Sequence, residues 1–178
     1  ALQEPRFDEN AIERVRAQIV SLIASNDKDP DTIVGERFDA LAFPTHPYGT
    51  TREGTAETVA GLSRDDLVEA HRNTLARDRV FVGAAGDITP EDLGLVLDAL
   101  LGGLPETGAP LPPDADLALT GGITVVPFGS PQSVVRFGHE GLTRDDPDFL
   151  PAFILNQIVG GGGFSSRLMQ EVRVKRGL

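Results

Sequence analysis

Residues 160–163 are four consecutive glycines. They run directly into Phe164-Ser165-Ser166 and a charged amphipathic segment that stops at Gly177. Each glycine in a helix interior costs about 1 kcal/mol relative to alanine, so four in a row predict a loop. Ser165 or Ser166 then suits the N-cap of a new helix, and Gly177 suits its C′ end. A tight glycine turn therefore delivers a short helix carrying Arg167, Arg173, Lys175 and Arg176. Exposed cations are commonplace near a helix C-terminus, where the backbone dipole favours them. Arg173 differs in degree only. It lies four residues after Met169, at the edge of an apolar face made by Leu168, Met169 and Val172, and can point into a cleft.

The formal net charge of −11 excludes a general nucleic-acid role, because phosphate neutralisation needs a basic face. No apolar run approaches the length of a membrane span. Cysteine is absent, which removes disulfides and thiolate metal sites. The opening residues, ALQEPRFDEN, have neither the basic start nor the apolar core of an export signal. We read the chain as a piece of a longer protein.

Apolar spacing at Ile12, Val15, Ile19, Leu22 and Ile23 predicts a helix over 8–25. A second helix over 31–41 places Ile33, Val34, Phe38 and Leu41 inward. Ser63 and Asp66 form a capping-box pattern that opens a third helix over 64–76. Thr89-Pro90-Glu91-Asp92 opens a fourth that runs to about Leu101. Residues 79–85, 123–128 and 132–138 read as strands, and 146–159 as a helix before the glycines. Between the two groups of elements, residues 102–122 are rich in proline and glycine and lack periodicity, as a linker would. The expected class is α+β.

The histidines His46, His71 and His139 show no helical pair spaced for zinc. His46 lies between prolines and suits a turn-stabilising role. His71 belongs on a solvated helix face, and His139-Glu140 has no third partner in view. The glycine run follows a helix rather than a strand and lacks the register of a phosphate loop. Ser130, Ser165 and Ser166 do not sit in a nucleophile elbow.

Several segments together resemble the inverted-motif zinc metallopeptidases of the insulinase and pitrilysin type, which include mitochondrial processing peptidase. They are PRFDENAIERVRAQIVSLI, DPDTIVGERFDALAFPTHPYG, DDLVEAHRNTLARDRVFVGAAGDITPEDL, LGGLP and NQIVGGGGFSSRLMQEVRVKRGL. They keep the family's order and cover nearly the whole chain, and the last is the most specific. The resemblance implies a two-layer antiparallel sheet plus helices, in parts of two consecutive similar α/β half-domains. Residues 1–104 would end the first half, 105–121 would link, and 122–178 would begin the second, inactive-type half.

In that family the first half holds zinc through H-x-x-E-H and a downstream Glu, and hydrolyses peptides with a zinc-activated water. The H-x-x-E-H segment would lie upstream of Ala1. The family's acids in IERVRAQIVSLI fall where this chain has Val15 and Leu22, with Leu22 at the ligand position; Glu13 falls on the polar side. A bare carboxylate on an apolar face needs a metal or partner, and leucine there suits a chain with no zinc of its own. The second half supplies an Arg and a Tyr that hold the substrate main chain. Arg173 matches the Arg, and the Tyr would fall two residues beyond Leu178. The resemblance thus implies a zinc-less subunit, with zinc expected in the partner and no catalytic or metal residue in this chain. Arg173, Gly161, Gly162, Gly163, Phe164 and Ser165 would bind the peptide substrate beside a zinc-bearing homologous subunit. A periplasmic setting is expected. The alternatives are an active zinc endopeptidase with an unusual ligand, and a purely structural subunit.

Overall fold

The structure, a computed structural model, describes residues 2–177. The chain divides into two compact units, residues 1–137 and residues 138–178.

The N-terminal unit is built from capped helices. Helix α1 spans Glu9–Asn26 and α2 spans Pro30–Ala42. A 3₁₀ turn follows at Pro47–Gly49, then short α3 at Ala56–Gly61 and α4 at Arg64–Thr74. Helix α5 spans Pro90–Leu101. The starts of α2 to α5 are satisfied by side chains three residues away from their targets. Asp29 accepts from the Thr32 N–H, Thr55 from Thr58, Ser63 from Asp66 and Thr89 from Asp92. These bonds occupy amide donors that the first helical turn leaves orphaned.

Helix α1 packs against α3 through Arg16. Its Nη1 donates to the Val59 and Ala60 carbonyls and its Nη2 to the Leu62 carbonyl at 2.8 Å. A guanidinium thereby closes the C-terminal end of a six-residue helix too short to be stable alone. Arg16→Ala is expected to lower the unfolding free energy by about 2 kcal/mol, the scale of charge-assisted bonds lost. Urea titration checks this, and an unchanged midpoint contradicts it.

Residues 105–121, expected to link two halves, lie along the N-terminal unit as a strap. The Arg77 and Asp78 amides donate to the Pro105 and Glu106 carbonyls, and the Ala109 amide donates to the Asn73 carbonyl. Arg79 Nη2 donates to the Ala109 carbonyl at 2.9 Å. Further along, the Ala118 amide donates to the Ala42 carbonyl at 2.8 Å. Among the described residues the buried apolar side chains of this unit are Ala42 at the end of α2, Val59 in α3, and Ala76 and Leu104 next to the residues whose backbone bonds hold the strap.

The expected two-layer antiparallel sheet is corrected. Among the described residues no strand is present. Residues 81–85, 123–128 and 132–137 are without helix or ladder, and most of their large side chains are exposed. Phe81 is 97% exposed and Ile123 94%. β-Branched, alternating sequence reports that a segment suits a pleated, half-buried surface. It carries no information on a pairing partner, and a strand exists only when neighbouring amides and carbonyls bond across a ladder.

Four carboxyls shifted in opposite directions contribute with opposite sign to stability in acid. Thr32, through its hydroxyl and amide, holds the Asp29 carboxyl below its ordinary value of 3.8. Ser63 does the same for Asp66, and Arg79 for Asp78. A carboxyl depressed in the folded state stabilises above its unfolded value and loses that contribution as pH falls through the folded one. Glu36 is raised, first by burial and then by Asp27 and Glu53. It has the opposite sign, costing stability while ionised. The urea midpoint is therefore expected to fall below about pH 4. Glu36→Gln should raise the midpoint at neutral pH and leave that acid limb in place. A midpoint independent of pH down to 2.5, roughly a pH unit below the ordinary aspartate value, contradicts the assignment.

The C-terminal unit begins its regular structure with α6, Phe149–Asn156. Phe149 and Phe153 stack on it at 6.4 Å, and the Arg144 guanidinium lies over the Phe149 ring at 5.7 Å. Among the described residues no helix is long and apolar enough to cross a membrane.

Candidate functional site: the glycine turn and the helix after it

Helix α6 does not stop at the glycines. It continues as a π-helical turn over Gln157–Gly161, so the first two glycines are helical, in departure from the expected four-residue loop. The chain leaves the helix at Gly162, whose amide donates to the Gln157 carbonyl at 2.8 Å. That bond brings backbone onto backbone. A Cβ on residue 162 would sit 2.6 Å from the same carbonyl oxygen, closer than a side chain tolerates. Gly163 then turns the chain at φ +64°, a left-handed value that favours glycine.

A short 3₁₀ turn over Gly163–Ser165 completes the loop. The Ser165 hydroxyl donates to the Gly162 carbonyl at 3.1 Å, and the Ser166 amide to the Gly163 carbonyl at 3.2 Å. Gln170 Nε2 reaches back to the Phe164 carbonyl at 2.8 Å. Ser166 is 3% exposed and its hydroxyl accepts from the Met169 amide. Of the two serines expected as caps, Ser166 takes the role. Phe164, 80% exposed, projects from the turn.

The helix that follows is π-helical over Met169–Val174 rather than α-helical. Wide π turns inside helices are frequent at functional sites. Gly177 ends the helix in the expected manner, at φ +70° with its amide donating to the Arg173 carbonyl at 3.0 Å. Lys175 pairs with Glu171 at 2.6 Å. Arg173 is exposed, and among the described residues no side-chain hydrogen bond or ion pair occupies it. Its guanidinium offers a planar fork of donors matched to carbonyl and carboxylate oxygens.

A shallow depression beneath the turn is lined by Ile154, Gln157, Ile158, Ser165 and Arg167. It combines an apolar floor with an amide, a hydroxyl and a guanidinium, a composition suited to an extended peptide. The structure thus brings Ser165 together with Arg167. Arg173 is not part of this lining and lies on the helix that packs on the turn. Sequence reasoning missed Gln157, whose carbonyl anchors the turn. Its only signal is its place immediately before a glycine run.

The histidines all find backbone carbonyls. His71 Nε2 lies 2.8 Å from the Leu2 carbonyl and its ring meets Phe7 edge-on, so it is engaged rather than simply solvated. His139 Nδ1 contacts the Glu140 carbonyl. His46 does stabilise a turn, its Nδ1 accepting from the Tyr48 amide at 3.2 Å. On α1, Val15 and Leu22 are about half-exposed, and Glu13 pairs with Arg16 at 3.1 Å. Among the described residues no three His, Asp or Glu side chains converge where they could hold a metal ion. Arg136 was also missed; it lies 3.7 Å from Asp39 and over the Phe38 ring at 5.5 Å, beside the cleft holding Glu36.

The sequence profile of the family described as the peptidase M16 inactive domain matches residues 61–178. A non-peptidase homolog, YmxG, of Helicobacter pylori is 27% identical over 99% of this chain and 41% of its own length. A probable mitochondrial-processing peptidase subunit beta of Schizosaccharomyces pombe is 28% identical over 85% of this chain and 34% of its own. An uncharacterized zinc protease of Mycobacterium tuberculosis is 30% identical over 94% and 39%. The chain therefore spans less than half the length of the curated relatives it matches. The crystal structure of a peptidase M16 inactive domain from Pseudomonas fluorescens superposes with a TM-score of 0.76 at 24% identity. It covers 99% of this chain and 43% of that one, a likeness of fold.

Proposed function

The chain belongs to the peptidase M16 inactive-domain family, and from that premise we propose that it is the non-catalytic component of a two-chain zinc peptidase. In this reading the glycine turn, Gly161 to Ser165, receives a stretch of substrate peptide. Arg173 donates to the peptide main chain near a zinc ion carried by a homologous partner subunit. The observation that carries the reading is Arg173 itself, an exposed guanidinium left unoccupied among the described residues, on the helix that follows the glycine turn. A donor placed where negative charge develops on a carbonyl oxygen stabilises the transition state without holding metal. The proposed setting is periplasmic.

Co-purification tests the pairing. The protein and its zinc-bearing homologue are expected to elute as one complex, with zinc removed only when the homologue's ligands are changed. Separate elution, with zinc retained by this protein and lost on changing its own residues, contradicts it.

Two relatives favour other readings. The one named a zinc protease supports an active endopeptidase with its zinc motif upstream, which would cleave peptides unaided. The one named a non-peptidase homolog supports a structural subunit, in which changing Arg173 would leave the partner's rate unaffected.

A further inference from the structure

His46 ties two elements of the N-terminal unit together, and the chemistry of both ties dictates the state of its ring. Its Nδ1 lies 3.2 Å from the Tyr48 amide, and its Nε2 lies 3.0 Å from the Pro113 carbonyl. A backbone amide can only donate and a carbonyl can only accept. Nδ1 must therefore present a lone pair while Nε2 carries the proton. Both ties hold together in the neutral Nε2–H imidazole alone.

The two ties have different owners. The Nδ1 tie caps the 3₁₀ turn Pro47–Gly49, whose residues line the cleft beside α2. The Nε2 tie pins the middle of the proline-rich strap, between the anchors at residues 105–109 and at Ala118. The ring stands among Phe43 and Tyr48, at 6.5 and 4.5 Å between ring centres.

We propose that His46 is a pH-sensitive latch joining the Pro47–Gly49 turn to the strap. A proton added at Nδ1 converts the acceptor into a donor facing the Tyr48 N–H. The ring then keeps its strap contact only by giving up the cap, or rotates and gives up both. The titratable groups on the surrounding elements are Tyr48 on the same turn, Glu36 and Asp39 on α2, and Asp114 and Asp116 on the strap. Among the described residues none of these side-chain ionisable groups is hydrogen-bonded or ion-paired to the ring. A protonated Nδ1 has no lone pair left for the Tyr48 N–H, so the cap is lost on protonation. Histidine is suited to such a role because its ordinary titration falls between about pH 5 and 8.

The test is amide hydrogen exchange on the full chain, corrected for intrinsic rates, with the ring tautomer read from imidazole ¹⁵N shifts. At pH 8 the wild type should show the Nε2–H tautomer and protected Tyr48 and Ala118 amides. Near pH 5, Tyr48 protection should fall about fivefold, the effect of losing one ordinary hydrogen bond, with Ala118 moving in the same direction. His46→Asn, whose side-chain oxygen can replace Nδ1, should keep Tyr48 protected at both values. His46→Gln, whose amide nitrogen can replace Nε2, should leave Tyr48 unprotected at both. An Nδ1–H tautomer at pH 8, or wild-type Tyr48 protection equal at pH 8 and pH 5, overturns the proposal. Those two readings use the wild type alone and stand whether or not the variants fold.

Discussion

Arg173→Ala is expected to lower kcat/KM of the proposed zinc-bearing partner by about 10²- to 10³-fold, the scale of losing one preorganised donor to a developing oxyanion. In the proposed role the loss should fall mainly on kcat, since negative charge on the carbonyl oxygen develops in the transition state rather than in the bound peptide. Arg173→Lys should recover part of it, because an ammonium supplies charge without the planar fork. Stability should not move. The side chain is exposed and unoccupied among the described residues, and the helix end is closed by the Gly177 amide on the Arg173 carbonyl, which any residue provides. Steady-state kinetics of the complex beside urea unfolding separate these outcomes. An unchanged rate assigns the chain a structural role; a fall in rate with an equal fall in stability assigns Arg173 to the fold.

The glycines differ among themselves, and Gly162→Ala is expected to cost most. Its methyl would meet the Gln157 carbonyl at 2.6 Å, and backbone cannot swing aside as a side chain can. The Gly162–Gln157 bond would break and the turn would reset, at about 2 kcal/mol for a lost bond with its acceptor displaced. Gly163→Ala meets open space but must hold φ +64°, costing about 1–2 kcal/mol. Gly161→Ala meets only the flexible end of the Gln157 side chain and sits in a helical turn. It should be neutral, or stabilising by up to about 1 kcal/mol. Urea unfolding of the three variants, with fluorescence anisotropy of a bound peptide, gives the order. Equal effects at 161 and 162 would contradict the geometry.

What was legible in the sequence was whatever is decided within four residues. Ser63 and Thr89, though not Asp29, which caps α2 but lies in a stretch that reads as a helix breaker, announce helix starts because a cap needs only its own side chain and an amide nearby. Ser166 and Gly177 bracket the last helix for the same reason. Helix α3 follows the same rule through Thr55 and Thr58, yet its six residues offer too short a pattern to notice. The π register was hidden because it depends on how near Gly162 approaches Gln157. The strands failed from the other side: Ile123, Val125, Val135 and Phe137 have the right chemistry for a sheet, and pairing is a property of two segments. The family was legible because the glycine run and EVRVKRGL are specific. The backbone bonds that hold residues 105–118 to Asn73, Arg77 and Ala42 were not legible, because proline- and glycine-rich sequence carries no sign of the carbonyls and amides it will meet.

The most direct test of the proposed non-catalytic role is hydrolysis of a quenched-fluorescence peptide library by the full protein, alone and with the zinc-bearing homologue proposed as its partner. The account predicts no cleavage by the protein alone, with or without added zinc, and a rate with the homologue that exceeds the homologue's own. Cleavage by the protein alone, abolished by a chelator and restored by zinc, would contradict it.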